Sequence, residues 1–275
     1  MRAICREKVI TVIENLCVLA NTVVNQSTLD LIKKCELLEQ SNLAKHILKN
    51  IIKNDELAEK RCQAICQDTG LVNVFVELGR NVYLNFDLEE AINIGVKNAY
   101  SSNYYRKSIV SPLSRINTNT NTPSFINITL NNTDILKFTI LIKGAGSENM
   151  SVIKMLNPTT SVREIENIIV NIVKKNASKA CPPLEIGIGL GGSFELAPLL
   201  AKKALFLNID KSKEILQLEE RLIVKLNKLG IGPMGLGGNT TILGVKILSH
   251  ECHLASLPLA INFQCHVVRH RSEEI

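Results

Sequence analysis

The chain has 275 residues, of which 45% are hydrophobic and 21% charged, with eight cysteines and a formal net charge of +6. These proportions lie near globular averages and exclude a disordered tail protein or a coiled coil, and the length suffices for a large domain with a buried site. Basic residues are scattered and aromatics make up 4%, so the chain lacks the basic run and stacking platforms of a nucleic-acid binder, while a modest positive field suits a small anionic substrate.

At the N-terminus Arg2, Arg6 and Lys8 precede apolar residues, but Glu7 and Glu14 interrupt them and no small-residue cleavage site follows. Neither a signal peptide nor a membrane span is expected, which makes a cytoplasmic address the default and reduced thiols the reading of the cysteines. The first sixty residues are predicted helical, from Val9, Val12, Ile13, Leu16, Ala20 and Val23 and again from Leu43, Ile47, Leu48 and Ile51 at spacings of three and four. From Leu71, Val72, Val74 and Val76 alternate with Asn73, Phe75 and Glu77 until Gly79, which predicts a strand. Asp87 opens a helix with Leu88, Ala91, Ile92, Val96 and Ala99 on one face, and a polar loop follows from Ser101 to Ser124.

The segments FINITL and ILKFTILI, joined by Asn131, Asn132, Thr133 and Asp134, predict a hairpin whose second strand runs into Lys143-Gly144-Ala145-Gly146-Ser147. Ser161 and Glu164 form a capping box ahead of Ile165, Ile168, Ile169, Ile172 and Val173. Ser193 and Ser212 start two further helices, the second ending at Gly230, and residues 240–248 read as a strand. With no repeat and no linker, the expectation is a single domain over residues 1–275, in which 1–60 is a helical scaffold and 61–275 carries the chemistry. The fold class is α+β: a helix-rich N-terminal part, then a mixed or antiparallel sheet with helices and glycine-rich loops.

Three glycine-rich segments follow apolar runs, at Gly144 to Ser147, Gly187 to Ser193 and Gly230 to Gly238. Gly187, Gly189 and Gly192 fit G-x-G-x-x-G with Asp210 downstream, so a dinucleotide-binding module through Gly187–Gly192 is one reading; Pro182 and Pro183, which leave little strand before it, argue against. Cys5, Cys17, Cys35, Cys62 and Cys252 read as ordinary thiols, whereas Cys66, Cys181 and Cys265 stand in turn-like contexts, too widely spaced for a zinc ribbon or a ferredoxin run. Spacing alone leaves these three open between core thiols and a metal site. His250 and His253 are three apart, not the four of a zincin.

Six segments then stand in a fixed order: CQDTG, RKSIVSPLSRINT with NTP, KGAGSENM, CPPLEIGIGLGGSFELAPLLAKKAL, GIGPMGLGGNTT and HLASLPLAINFQC. From about Cys62 to Arg269 they resemble the α subunit of the two-subunit class I fumarate hydratases and the related L-tartrate dehydratases. The resemblance implies that Cys66, Cys181 and Cys265 hold a [4Fe-4S] cluster, buried among the glycine-rich loops, whose fourth iron has no protein ligand and acts as a Lewis acid. It implies that Gln67 and Asp68 contact substrate, with Asp68 in proton transfer, that His253 is an active-site histidine, that Arg106 binds a substrate carboxylate, and that the Gly144 to Gly146 backbone approaches substrate. It also implies oxygen sensitivity, and a β subunit that supplies the rest of the site in an α2β2 assembly. The reaction implied is reversible hydration of fumarate to (S)-malate, with dehydration of L-tartrate to oxaloacetate the close alternative. Departures from the pattern are Ala145 for a glycine, Asn119-Thr120 for Gly-Asp, and Asn239 for a lysine.

Overall fold

The computed structural model describes residues 2–275. In chain order the elements are β1 (Arg2–Ala3), α1 (Arg6–Thr22), α2 (Gln26–Leu38), α3 (Asn42–Arg61), β2 (Leu71–Gly79), β3 (Val82–Tyr83), α4 (Leu88–Ser102), β4 (Phe125–Asn131), β5 (Leu136–Lys143), α5 (Ala145–Glu148), β6 (Val152–Leu156), α6 (Val162–Asn176), β7 (Leu184–Gly191), α7 (Leu196–Ala204), α8 (Lys213–Asn227), β8 (Ile242–His250), β9 (Leu257–Cys265) and β10 (His270–Glu274). The arrangement is α+β, helix-rich at the N-terminus and sheet-forming after it. The chain divides into two compact units, Met1–Asn25 with Asn54–Ala145 and Arg269–Ile275, and Gln26–Lys53 with Gly146–Val268.

The first unit is built on a sheet of order β10-β5-β2-β4. Val72, Val74 and Val76 of β2 and Leu136, Phe138, Ile140 and Ile142 of β5 share one core with Val9, Ile13 and Leu16 of α1 and Ala91, Ile92 and Val96 of α4. The period of two in the strands and of three or four in the helices is what lets these faces meet. Asp87 caps α4, its carboxylate accepting the Glu90 N–H.

The hairpin expected between FINITL and ILKFTILI does not form. β5 runs antiparallel to β2, while β4 lies parallel to β2 on its other side. A strand buried on both faces is stabilised most in mid-sheet, and β2 has five consecutive buried residues, Val72 to Val76. The largely exposed β4 suits an edge. At the N-terminus the stretch Arg6–Leu38 meets the length and apolarity of a membrane crossing, a test that a core helix also passes. Half of that window is buried inside the protein, and the helix is interrupted at residues 23–25, between α1 and α2.

The second unit has a sheet of order β6-β9-β7-β8. Its strands β6, β9 and β7 went unread in the sequence: in β7 and β9 glycines, a proline and continuous burial hide the alternation, and β6 is only five residues long. Ile186 and Ile188 of β7 join Leu259, Ile261 and Phe263 of β9 and Ile169 and Val173 of α6 with Leu218 and Leu222 of α8. The capping box of α6 forms as expected, with Ser161 and Glu164 exchanging hydrogen bonds.

Gly187 and Gly189, expected in a loop, lie inside β7 on the face opposite the isoleucines. A side-chain carbon at Gly187 would fall 2.0 Å from the Ala201 carbonyl oxygen of α7, and one at Gly189 2.0 Å from that of Ala197. These glycines admit the backbone of α7 onto the strand, leaving that face no room for a pyrophosphate, which overturns the dinucleotide-binding reading. Gly189→Ala is expected to lower the unfolding free energy by about 1–3 kcal/mol, by denaturant titration, as overpacking of a filled contact does; unchanged stability would contradict this packing.

Candidate active site

The segment Cys66-Gln67-Asp68-Thr69-Gly70 leads directly into β2, and the antiparallel register sets Leu71 opposite Lys143, the last residue of β5. The two strand ends therefore meet at one edge of the first unit. Asp68 joins them: its Oδ1 accepts the Gly70 N–H at 3.0 Å and its Oδ2 the Ala145 N–H at 2.7 Å. Gly70, at φ +67, is packed so closely that a side chain would begin 2.6 Å from the Lys143 carbonyl oxygen. Gly144 leaves the space in which a side-chain carbon would sit 3.0 Å from Asp68 Oδ2.

Side chains from distant parts of the first unit hold the turn. The Tyr100 hydroxyl donates to the carbonyls of Thr69 and Gly70, and the Asn121 amide also donates to Gly70 O, at 3.1 Å. Burial pushes the Tyr100 phenol far up, so it remains a neutral donor. Thr69 Oγ1 donates to the Arg106 carbonyl at 2.8 Å, which ties the polar loop to the turn. Arg269 Nη1 donates to the Asp68 carbonyl at 2.7 Å.

Two cavities open beside this turn. One, of about 350 Å³, is lined by Cys66, Gln67, Tyr105 and Arg106 among others. The other, of about 330 Å³, is lined by Asp68, Arg106, Lys107, Lys143 and Ala145 among others. Arg106 borders both, with its side chain exposed, whereas Lys143 is fully buried. Tyr105, whose hydroxyl has no hydrogen-bond partner among the described residues, has its phenol pushed up to about 12 by burial, with smaller contributions from Cys17 and Cys62. The Asp68 carboxylate and the Arg106 guanidinium border one cavity whose lining also includes Lys143, an arrangement that suits a small anion with an acid–base group beside it.

Of the residues singled out in the sequence, the first unit thus gathers Cys66, Gln67, Asp68, Arg106 and Gly144. Tyr100 and Arg269 were not singled out in the sequence, and Asn121 and Lys143 appeared there only as members of the NTP and KGAGSENM segments with no role attached. Two departures from the family pattern find physical reasons. Ala145 begins α5 and is not among the residues with positive φ, so no glycine is required there. Asn119 has φ +61, a conformation that asparagine tolerates better than other non-glycine residues.

Cys181 and Cys265 belong to the second unit. Cys181, exposed and at φ +59, precedes the cis Pro182-Pro183 bond and lies three residues before Leu184, whose ladder partner is Cys265 at the end of β9. Both cysteines therefore sit at the same end of the β7–β9 ladder. The Met234 N–H donates to the Pro182 carbonyl at 2.7 Å, fastening the third glycine-rich segment to this turn. That segment is held at its other end by Glu39, which accepts the N–H groups of Asn239 and Thr240. Burial would raise the Glu39 carboxyl, but these bonds and those from Ser41 and Gln40 outweigh it and hold it low. Asn239 acts there through its main chain, so its replacement of a lysine leaves this contact intact.

His253 is exposed between β8 and β9, three residues beyond His250, which pairs with Gly191 at the far end of β7. Its Nδ1 accepts the Ala255 N–H at 3.1 Å, which places the ring proton on Nε2. Seven strand steps separate that end from Leu184, the partner of Cys265, about 23 Å at strand rise. His253 thus lies beyond the ladder end opposite to Cys181 and Cys265. Gly146 has its nearest neighbour, the Lys179 carbonyl oxygen, 3.9 Å from where a side chain would start.

Among the described residues no disulfide is formed, and Cys66, Cys181 and Cys265 are each at least partly accessible. Soft, unbridged thiols of this kind fit iron–sulfur ligation chemically, and two of them share one strand end. Among the described residues, however, no three or more His, Cys, Asp or Glu side chains converge as a metal site. The buried cluster site expected from the resemblance is not seen as a preformed constellation.

The chain matches the family model described as Fumarate hydratase (Fumerase) over residues 10–274. It is 42% identical over 237 residues to the Methanocaldococcus jannaschii protein named "Putative L(+)-tartrate dehydratase subunit alpha", covering 82% of this chain and 83% of that protein. To the Escherichia coli K12 protein named "L(+)-tartrate dehydratase subunit alpha" it is 28% identical over 266 residues, covering 94% of this chain and 88% of that one. A match over nearly the whole length, joined to the ordered motifs around Asp68, identifies the chain as a member of the fumarate hydratase and tartrate dehydratase α-subunit family of hydro-lyases.

Proposed function

We propose that this chain is the α subunit of an iron–sulfur hydro-lyase that dehydrates L-tartrate to oxaloacetate. The observation that carries the reading is the sharing of one cavity by Asp68, Arg106 and Lys143, and the choice of tartrate rests on the names of the relatives. In this reading Arg106 and Lys143 neutralise a substrate carboxylate, which matters because removing a proton beside a carboxylate builds up negative charge there. Asp68 holds that proton: each of its oxygens accepts one main-chain N–H and keeps a lone pair for the substrate. Loss of hydrogen from one carbinol carbon and hydroxide from the other leaves an enol, which ketonises to oxaloacetate. Gln67 and the main chain at Gly144 and Gly146 contact the substrate, and His253 takes part through a motif match alone.

Cys66, Cys181 and Cys265 are proposed to hold one [4Fe-4S] cluster per chain, which when bound supplies a Lewis acid for the departing hydroxyl. A β subunit completes the site, in an α2β2 assembly. Hydration of fumarate to (S)-malate is the second reading, favoured by the description of the matching family model; the same groups then work in the reverse sense.

The test is anaerobic co-production of this chain with its β subunit, followed by assays of oxaloacetate from L-tartrate and of malate from fumarate. A larger kcat/KM for L-tartrate is expected; turnover of fumarate alone would select the second reading, and turnover of neither would reject both. A site that hydrogen-bonds a hydroxyl discriminates strongly against a substrate lacking it. Cys181→Ser is expected to abolish iron and acid-labile sulfide binding, because a hydroxyl is a poor ligand for a soft cluster, and full cluster content would remove Cys181 from the ligand set. Arg106→Ala should reduce kcat/KM by about 10²–10³-fold, as loss of a transition-state donor does. Its melting temperature should hardly change, because that side chain is exposed.

A further inference from the structure

We infer that Arg269 is a positioning residue for Asp68, acting through the main chain of the CQDTG turn. The inference rests on the reading of Asp68 as the proton-transfer group. Arg269 is 2% exposed, yet among the described residues no carboxylate lies within ion-pair distance of it, and its Nε has no hydrogen-bond partner. An unpaired buried charge costs several kcal/mol, and an apolar residue of similar volume would serve stability better. The contacts Arg269 does make all point to the site. Nη1 donates to the Asp68 carbonyl at 2.7 Å and to Asn21 Oδ1 at 3.2 Å. The Asn21 carbonyl accepts the N–H of Ile65, the residue before Cys66.

The main chain of Arg269 is fixed as well, its carbonyl accepting the Ile142 N–H at 2.9 Å. One residue therefore grips β5 with its backbone and the turn with its guanidinium. The Asp68 carboxylate reaches Ala145, just beyond the end of β5, so its direction depends on where its own main chain stands relative to that strand. Gly144 lies between the two groups: a side-chain carbon there would be 3.0 Å from Asp68 Oδ2 and 3.3 Å from Arg269 Nη2. With Arg269 neutral or shortened, the Asp68 carbonyl loses its buried donor and the turn can pivot, moving the carboxylate without removing it. Misplacement of a catalytic group by about 1 Å costs on the order of 10² in rate.

The experiment compares Arg269→Gln, Arg269→Lys, Asp68→Asn and the double variant Asp68→Asn/Arg269→Gln as α subunits in the reconstituted enzyme with its β subunit. The substrate is whichever of the two dicarboxylates the unsubstituted enzyme turns over. Arg269→Gln is expected to lower kcat by about 10–100-fold with KM within about threefold, the signature of an effect confined to the transition state. Arg269→Lys should recover part of that loss, because an ammonium can still donate to one carbonyl. The double variant should be no slower than Asp68→Asn, since a residue acting through Asp68 has nothing left to position. Unchanged kcat in Arg269→Gln, or losses that multiply in the double variant, would overturn the inference while leaving the Asp68 assignment in place. Full turnover by Asp68→Asn would remove that assignment and the inference with it. Should Arg269→Gln not fold, Gly144→Ala intrudes on the same pair, and an unaltered kcat there counts against the inference equally.

Discussion

Antiparallel pairing of β2 with β5 sets Leu71 opposite Lys143, and the candidate active site depends on this register. A shift by one residue would turn Val72, Val74 and Val76 away from the helices of the first unit, at a cost of roughly 1.5–3 kcal/mol for each buried side chain exposed. The hydrophobic core thus fixes a polar feature at the strand ends, where Asp68 bridges the Gly70 and Ala145 amides. Gly70 and Gly144 matter here as absent side chains, since each stands where a β-carbon would strike a backbone carbonyl or the carboxylate itself.

The charges at this edge differ in solvation, and the difference bears on what the site does. Arg106 is exposed and can meet an incoming anion, whereas Lys143 and Arg269 are desolvated and held by the fold. Desolvated cations act on a nearby anion through a lower effective dielectric than exposed ones, so their influence is larger and less screened by salt. A dicarboxylate that gains charge during reaction is the kind of ligand such an arrangement favours, in keeping with the hydro-lyase family to which the chain belongs.

The second unit shows how one pattern of residues serves two quite different purposes. Glycine at alternate positions of β7 resembles a phosphate-binding loop when read as a string, but a strand places those glycines on one face, where the backbone of α7 occupies the space. Ile186 and Ile188, on the opposite face, pack into the core with α6 and α8. The same strand geometry sorts the residues singled out in the sequence: Cys181 and Cys265 lie at one end of the β7–β9 ladder and His253 lies beyond the other. A turn and the nine-residue strand β9 separate groups that the sequence motif lists together.

What the sequence by itself determined is local or recorded in motifs. The helices from Val9 to Leu16 and from Ile165 to Val173, the caps at Asp87 and Ser161, the strand from Leu71 to Gly79, and the family through six ordered segments were all legible, because each depends on periodicity or on residues a few positions apart. Tertiary structure alone decided that β2 separates β4 from β5, that Gly187 and Gly189 receive a helix, and that Tyr100, Asn121 and Arg269 close on the CQDTG turn across separations of up to 201 residues. The physical reason is the same in each case. Strand order, close backbone approach and the satisfaction of a buried carbonyl are properties of pairs brought together by burial of the core, and no spacing within one segment encodes them.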